Sequence, residues 1–312
     1  MPTEDDAISG NQVKPNEAGA ACKLSLPNPG PGLYIVATPI GNARDITLRA
    51  LDLLRGADVV LCEDTRVSKK LFAYHQINNT MLAYHEHNAK RMRPIIIERL
   101  NNGESVALVS DAGTPLVSDP GYRLVEACVA HGFPLTTLPG ASSVLSALVL
   151  SGLPTDRFFF HGFLPNRSGQ RQKALSGVKD IPGSLVFLES AKRLPTSLSD
   201  MATVLGNRPA AVTRELTKLY EEVRRGRLHD LAAHYLEKGP PKGEVTLVIG
   251  PPEATEPPDS DVLDDMIAVA LETMSTKEAA AHLAKETGLP KRQIYHRALD
   301  LKARPPDDLE RK

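Results

Sequence analysis

Short apolar runs and helix-like spacings alternate along the first half of this chain. A short continuous apolar run indicates a buried strand, whereas apolar residues three and four positions apart indicate a helix with one buried face. The predicted strands are 33–38, 58–62, 106–109 and 135–138, and the predicted helices are 47–56, 68–74, 89–100, 122–131 and one that begins at Ala141. Such alternation is typical of a mostly parallel sheet with helices on its faces.

The second half of the chain repeats this pattern beyond a turn-rich linker at residues 152–155. The predicted strands here are 158–160, 184–188, 210–214 and 244–249, with helices between them. Residues 251–260 combine several prolines with acidic residues and predict a second linker. The expected domains are a disordered leader (1–30), an N-terminal α/β domain (31–151), a C-terminal α/β domain (152–250), this linker, a helical module (261–304) and a tail (305–312).

The helical module carries clear helix-boundary signals. Ser275 followed by Glu278 predicts a capping box, and Gly288 can end the helix that this box begins. Pro290 suits the first turn of a last helix, which would carry Lys291, Arg292 and Arg297. These signals fit a helix-turn-helix-like module, and a small helical hairpin that packs on the body of the protein is the alternative.

Composition and charge narrow the class of protein. The chain has 312 residues, 41% of them hydrophobic and 24% charged, as expected for a globular protein. Its formal net charge of -1 argues against a protein that coats nucleic acid uniformly. The charge is uneven, however, because residues 157–230 contain thirteen Lys or Arg and seven Asp or Glu. A local basic face could therefore still meet a phosphate backbone.

The cysteines and the termini exclude several other classes. Cys22, Cys62 and Cys128 are scattered and form no CxxC pair, which predicts reduced thiols and neither a disulfide framework nor a metal site. The acidic N-terminus lacks the apolar core of a signal peptide, and no apolar stretch approaches the length of a membrane span. We expect a soluble, cytoplasmic protein with no membrane partner.

Three Gly- and Pro-containing loops follow predicted strands: TPIGN (38–42), SDAGTPLVSDPG (110–121) and LPGASS (138–143). The carboxyl ends of parallel strands are where open α/β sheets bind small ligands. Asp111 lies at a strand tip and can accept hydrogen bonds, while Ser142 and Ser143 offer hydroxyls at a helix start. The chain has neither GxGxxG after the first strand nor GxxxxGK[ST], so the expected ligand is one without a pyrophosphate.

Together with CEDTR, YHEHN, HGFLP, RELTKLYEE and KGEVTLVIG, these loops resemble the ribosomal RNA small subunit methyltransferase I family of the tetrapyrrole methylase-like superfamily. The similarity spans residues 33–250, and residues 275–301 resemble the small helical domain often appended in that family. It implies an α/β fold of two class III methyltransferase domains with the cofactor in the interdomain cleft, plus the helical module. One departure is ESAKRL at 189–194, where the family usually has ESPHRL.

The resemblance further implies an activity and a set of residues. The activity is transfer of a methyl group from S-adenosyl-L-methionine to the 2′-oxygen of a cytidine in 16S rRNA of the small ribosomal subunit, by a homodimer. Positioning of the 2′-oxygen behind the methyl group would supply most of the catalysis. The implied cofactor-binding residues are Pro39, Asp111, Gly113, Thr114, Ser142, Ser143, Leu188, Thr213 and Thr246.

The 2′-hydroxyl must also lose its proton, so a general base is sought among the acidic and histidine motifs. The candidates are Glu63 and Asp64 in CEDTR, His87 beside His85 in YHEHN, and Glu215 in RELTK. The alternatives are a helix-starting acid pair for the first motif and hydrogen-bonded loop histidines for the second.

A protein that binds RNA also needs cationic side chains that contact the phosphates. Arg66, Lys218 and Arg193 are the predicted contacts, and the alternative for Lys218, Arg224, Arg225 and Arg227 is a solvated helix face. Aromatic residues are 4% of the chain, and the run 158–160 is expected in the core. Two other functions stay open: a sister methyltransferase that acts on a tetrapyrrole carbon or in diphthine synthesis, and a non-catalytic ribosome-assembly protein that binds RNA.

Overall fold

The computed structural model describes residues 29–118, 121–252 and 258–303. The described residues form two compact units, one ending at Ala141 and the other beginning at Ser142. Nearly all of the expected leader, Cys22, the middle of the second linker and the expected tail lie outside the described residues.

The first unit is built on a five-stranded parallel sheet with the order β3-β2-β4-β1-β5. Its strands are β1 (Gly32–Val36), β2 (Val59–Cys62), β3 (Met81–Ala83), β4 (Ser105–Val109) and β5 (Leu135–Leu138). Its helices are α1 (Leu48–Gly56), α2 (Thr65–Tyr74), α3 (Glu86–Asn101) and α4 (Tyr122–His131). The predicted alternation is confirmed, while β3 was missed because it is a half-buried edge strand of only three residues.

Helices cover both faces of this sheet. Val60 and Ala107 pack with Phe72 of α2 in the cluster on one face, and Leu61 and Leu108 pack with Leu124 of α4 in the cluster on the other. All four residues of β2 are buried, which explains why a parallel strand appears in the sequence as a continuous apolar run.

The second unit contains a mixed five-stranded sheet with the order β6-β7-β10-β8-β9. The strands are β6 (Phe158–Phe163), β7 (Ser184–Ser190), β8 (Pro209–Arg214), β9 (Glu222–Arg227) and β10 (Glu244–Ile249). Only the β6–β7 pairing is parallel. The helices are α5 (Ser143–Ser151), α6 (Ser168–Ser176), α7 (Leu194–Leu205) and α8 (Leu228–Lys238).

The two faces of the second sheet are covered differently. Leu185, Phe187 and Leu247 belong to a large core shared with α6, α7 and α8. The alternate positions, such as Val186 and Val248, are also buried and face the side on which α5 packs. Because α5 packs on this sheet, it belongs to the second unit, which begins at Ser142. The turn-rich linker that the sequence predicted at residues 152–155 lies after α5.

One alternative and one expectation about the second unit are wrong. Arg224, Arg225 and Arg227 do not form a helix face, because they lie on β9, where Arg225 pairs with Ala211 and Arg227 with Pro209. Residues 222–227 are polar, as on the exposed face of a helix. They form a strand because their backbone pairs with the edge of β8. Phe158 and Phe159 are 43% and 38% exposed on the edge strand β6, so they are not core residues.

Three helices, α9 (Ser260–Thr273), α10 (Thr276–Thr287) and α11 (Lys291–Ala303), form the C-terminal module around their own apolar cluster. The predicted capping box is confirmed: Ser275 Oγ accepts from Glu278 N, and Glu278 Oε2 accepts from Ser275 N. Gly288 ends α10 in the left-handed region. Arg297 pairs with Asp264 at 2.6 Å, which ties α11 to α9. Among the described residues, no helix is both long and apolar enough to span a membrane.

Candidate active site

The loops that follow β1 and β4 are joined at the carboxyl edge of the first sheet. All strands of this sheet are parallel, so their following loops leave from the same edge. Thr38 N donates to Gly113 O at 2.9 Å, and Gly113 N donates back to Thr38 O at 3.0 Å. Thr38 Oγ1 also donates to Ser110 O at 3.1 Å. TPIGN and SDAGTP therefore form one rigid edge, which carries the predicted residues Pro39, Asp111 and Thr114.

The loop that follows β5 packs against the same edge. Ala37 N donates to Leu138 O at 3.2 Å. A Cβ atom at Gly140 would lie only 3.0 Å from the Cβ of Ala37, so the absence of a side chain permits this approach. In the next residues, Ser142 Oγ caps α5 by accepting from Leu145 N at 3.3 Å. Ser142 and Ser143 thus lie at a helix start, as predicted.

The SDAGTPLVSDPG loop (110–121) also carries backbone strain, in the part that follows SDAGTP. Leu116 and Ser118 adopt φ values of 72° and 67°, in the left-handed region that non-glycine residues avoid. Each such residue costs of order 1–3 kcal/mol and persists only where the surroundings enforce it, most often at binding sites. The Gly and Pro pattern predicted a tight loop, but nothing in the sequence singled out these two residues.

Asp111 connects the SDAGTP loop to CEDTR. Its Oδ1 accepts a hydrogen bond from Asp64 N at 3.0 Å. The side chain of Asp64 caps α2 by accepting from Arg66 N at 2.8 Å, and it pairs with Arg66 Nη2 at 2.6 Å. Hydrogen bonds from the Arg66 side chain and backbone lower the pKa of Asp64 to about 2. Asp64 is therefore a weak proton acceptor, and the charge of Arg66 is compensated.

The other predicted bases of the first unit lie after β2 and β3. Glu63 is half-buried next to Asp64. His85 begins α3 and donates through its backbone N to Asn88 Oδ1 at 2.9 Å, and its ring lies 6.0 Å from that of the exposed His87. Across the described part of the chain, no three His, Cys, Asp or Glu residues are placed to hold a metal ion.

In the second unit, three predicted cofactor residues form a cross-strand row. Leu188 on β7 lies directly opposite Thr246 on β10, which lies opposite Thr213 on β8. Directly opposed residues share one face of a sheet, here the face away from the α6–α8 core. Thr213 Oγ1 donates to Thr246 O at 2.9 Å, and both threonines are buried. Residues more than 20 positions apart are thus adjacent, which no local pattern indicates.

Glu215 and Lys218 form a closed ion-pair cluster in the β8–β9 loop. Lys218 Nζ donates to Glu215 Oε1 at 2.8 Å and to Glu244 Oε2 at 2.9 Å. Glu215 Oε1 also accepts from Glu244 N at 3.0 Å. The Lys218 hydrogen bond, followed by that of the Glu244 backbone, lowers the pKa of Glu215. The predicted base is therefore held as an anion, and the predicted RNA contact Lys218 faces two carboxylates.

Arg193 is likewise engaged inside the protein. The side chain of Glu189 is fully buried, and Arg193 Nη2 pairs with its Oε1 at 2.5 Å. Ser197 Oγ and Ser190 N complete the shell of this carboxylate, at 2.6 Å and 2.7 Å. The three cations predicted to hold RNA, Arg66, Lys218 and Arg193, thus all have carboxylate partners.

Comparison with known proteins separates the part of the chain with the two sheets from the C-terminal helical module. The family model of tetrapyrrole (corrin/porphyrin) methylases matches residues 32–232, and the model of the RsmI C-terminal HTH domain matches residues 256–302. The chain is 52% identical to the ribosomal RNA small subunit methyltransferase I of Mesorhizobium japonicum, over 87% of this chain and 92% of the relative. It is 44% identical to the protein of the same name from Halalkalibacterium halodurans, over 85% and 93%.

Solved structures show the same fold at lower identity. Cobalt precorrin-4 methyltransferase, a cobalamin biosynthetic enzyme, superposes with a TM-score of 0.54 at 20% identity, over 70% of this chain and 94% of that one. This fold is thus shared by proteins of low sequence identity.

Proposed function

Because this chain belongs to the tetrapyrrole methylase family and, within it, to the ribosomal RNA small subunit methyltransferase I group, we propose that it methylates 16S rRNA of the small ribosomal subunit. The methyl donor is S-adenosyl-L-methionine, and the acceptor is the 2′-oxygen of a cytidine ribose. The 52% identity to a ribosomal RNA methyltransferase over 87% of the chain is the observation that carries this function.

The joined loops of the first unit fit such a donor. S-Adenosyl-L-methionine supplies a methyl group on a positively charged sulfonium and carries no phosphate. Asp111 is half-exposed, and its Oδ1 accepts from Asp64 N, so its other carboxylate oxygen could accept from a hydroxyl or ammonium group of the donor. Gly113, with φ 78°, has no side chain, so the backbone next to Asp111 is open to a ligand. Pro39, Thr114, Ser142 and Ser143 complete the donor-binding set that we propose near this edge.

The cross-strand row of Leu188, Thr246 and Thr213 in the second unit is a second set of residues that we propose for donor binding. Leu188 offers an apolar, half-buried surface, and the hydroxyl of Thr213 is already bound to the carbonyl of Thr246. These groups contribute shape and positioning, and no charged side chain is among them. A neutral surface suits a transfer in which the positive charge of the donor disappears as the bond forms.

Removal of the 2′-hydroxyl proton separates the four candidate bases into two groups. Asp64 and Glu215 are held as anions by Arg66 and Lys218, which lowers the pKa of each and weakens it as a base. We propose that Glu63 or His87 takes the proton. Glu63 directly follows β2, as Asp64 does, and His87 is exposed in the first turn of α3. Most of the rate enhancement then comes from alignment of the 2′-oxygen with the methyl group.

The test is methylation by the purified protein with methyl-labelled S-adenosyl-L-methionine. Small ribosomal subunits and naked 16S rRNA are supplied in parallel, and the labelled nucleoside is mapped. Label in a single 2′-O-methylcytidine is expected. Label on a tetrapyrrole ring or on a translation factor, with none in rRNA, would move the chain to a sister activity, and donor binding without any transfer would favour a non-catalytic assembly protein.

We also propose a homodimer that works in the cytoplasm, where ribosomal subunits mature. The homodimer rests on the family resemblance, and Leu219 and Tyr220, 89% and 68% exposed in the β8–β9 loop, are the apolar residues most suited to a partner surface. Sedimentation at micromolar concentration tests it, since a monomer mass would contradict the proposal.

A further inference from the structure

We infer that Phe163 stacks on a base of the RNA substrate, with Arg167 and Lys192 holding the flanking phosphates; this rests on the proposed function. Phe163 is the last residue of β6 and is 56% exposed. It lies directly opposite Leu188, which extends the cross-strand row of Leu188, Thr246 and Thr213 to the edge of the sheet. An exposed aromatic ring thus continues the face on which the donor-binding row lies.

A β-bulge places Phe163 on this face. Phe160 pairs with Val186, but the next pairing is Gly162 with Phe187, so His161 is the extra residue. Without the bulge, Gly162 would share the face of Phe160 and Leu188, and Phe163 would turn to the other side. Bulges re-aim side chains next to binding sites, and this one presents an aromatic ring where simple alternation would present a glycine.

Two unpaired cations lie on the loops beside this ring. Arg167 follows β6 and Lys192 follows β7, and the carboxyl ends of these two parallel strands meet at one edge. Both side chains are exposed, and neither makes an ion pair with any residue in the described ranges. They differ in this from Arg66, Lys218 and Arg193, whose charges are compensated.

Arg193 holds the two loops together and so fixes these cations relative to Phe163. It pairs with buried Glu189 at the end of β7, and its Nη1 donates to Leu164 O at 3.1 Å and to Asn166 Oδ1 in the β6–α6 loop. Arg193 is therefore a positioning residue. An exposed aromatic ring, with a cation on each of the two loops that follow β6 and β7, matches a stacked base with neighbouring phosphates. An anionic protein surface would need only the cations and not the ring.

The test compares Phe163→Ala with Phe158→Ala in methylation of small ribosomal subunits. Phe158 is a matched control, because it is 43% exposed on the same strand and the same face but pairs with Ser184, roughly 13 Å along β7 from Leu188. Phe163→Ala should lower kcat/KM for the RNA about 10- to 100-fold, the loss expected for one stacked base, with donor affinity by calorimetric titration within twofold. Phe163→Trp should retain activity.

Arg167→Ala and Lys192→Ala should each weaken RNA binding and reduce its salt dependence, whereas Lys173→Ala, an exposed cation on α6, should not. The inference is overturned if Phe163→Ala behaves like Phe158→Ala, or if it weakens donor and RNA binding equally, which would make Phe163 a wall of the donor pocket. In both cases wild-type transfer to rRNA leaves the proposed function standing. Absence of wild-type transfer would overturn both.

Discussion

The Oδ1 atom of Asp111 accepts a hydrogen bond from the backbone N of Asp64 at 3.0 Å, across 47 residues of chain. This bond joins the tips of β4 and β2, two neighbouring strands whose loops carry the strongest donor-site and base candidates. It also leaves the second oxygen of Asp111 as the acceptor that we assign to the donor.

Substitution of Asp111 tests this division of roles. Asp111→Ala should weaken S-adenosyl-L-methionine binding roughly 10- to 100-fold, the loss of a charge-assisted hydrogen bond. Asp111→Asn keeps an oxygen for Asp64 N but loses the charge, so it should fall between wild type and alanine. Calorimetric titration measures both affinities, and circular dichroism checks the fold. Wild-type affinity in a folded alanine variant would remove Asp111 from the donor site.

Gly113 tests whether the join between the two loops matters for binding. Gly113→Ala must hold φ 78° and places a Cβ 3.5 Å from Ile40 Cγ2. Gly132→Ala is the matched control, since Gly132 has φ 71° with open space around it at the end of α4. Both should lose about 1–2 kcal/mol of stability from the left-handed backbone. Only Gly113→Ala should also lower donor affinity, and equal affinities in the two variants would contradict the role of this loop.

The Glu189–Arg193 pair predicts a stability effect where an RNA effect was expected from the sequence. Arg193→Ala leaves a fully buried carboxylate without its cation, which should cost about 3–5 kcal/mol. A fall in Tm and in the urea midpoint should therefore accompany any loss of activity. Glu189→Gln, which removes the charge but keeps the shape, should be milder. Unchanged stability in Arg193→Ala, with weakened RNA binding, would return Arg193 to the role of a direct contact.

Asp64 makes a prediction about pH. Its pKa, about 2, lies below the usual 3.8 of an aspartic acid side chain, chiefly because of hydrogen bonds from Arg66. A carboxyl group with a lowered folded-state pKa stabilises the fold above its unfolded pKa, and this contribution is lost as the pH falls from 3.8 toward 2. Carboxyl-carbon NMR titration should place the midpoint near 2. In Arg66→Ala the midpoint should move up, and an unshifted midpoint would show that Arg66 is not the cause.

Much of the fold could be predicted from the sequence because its signals are local. Buried parallel strands such as β2 appear as continuous apolar runs, and α4 begins and ends where its apolar spacing begins and ends. Ser275 and Glu278 need only each other to form their capping box. The edge strands β3 and β9 were missed because their backbone hydrogen bonds are made with strands that are distant in sequence. The polar segment 222–227 has no local pattern that indicates its pairing with β8.

The sequence by itself determined the parallel sheet of the first unit, the helix caps, the three loops that we propose for donor binding and the family, since each is encoded in residues close together in the chain. Only the tertiary structure decided which cations and carboxylates are free. By residue type, each of the three predicted cations could be an RNA contact. In the structure, Arg66 pairs with Asp64, Lys218 with Glu215 and Glu244, and Arg193 with Glu189. The row of Leu188, Thr246 and Thr213, and the bulge that adds Phe163 to it, depend on strand register. Register and ion pairing are long-range contacts, and a one-residue shift would undo them without changing any local pattern.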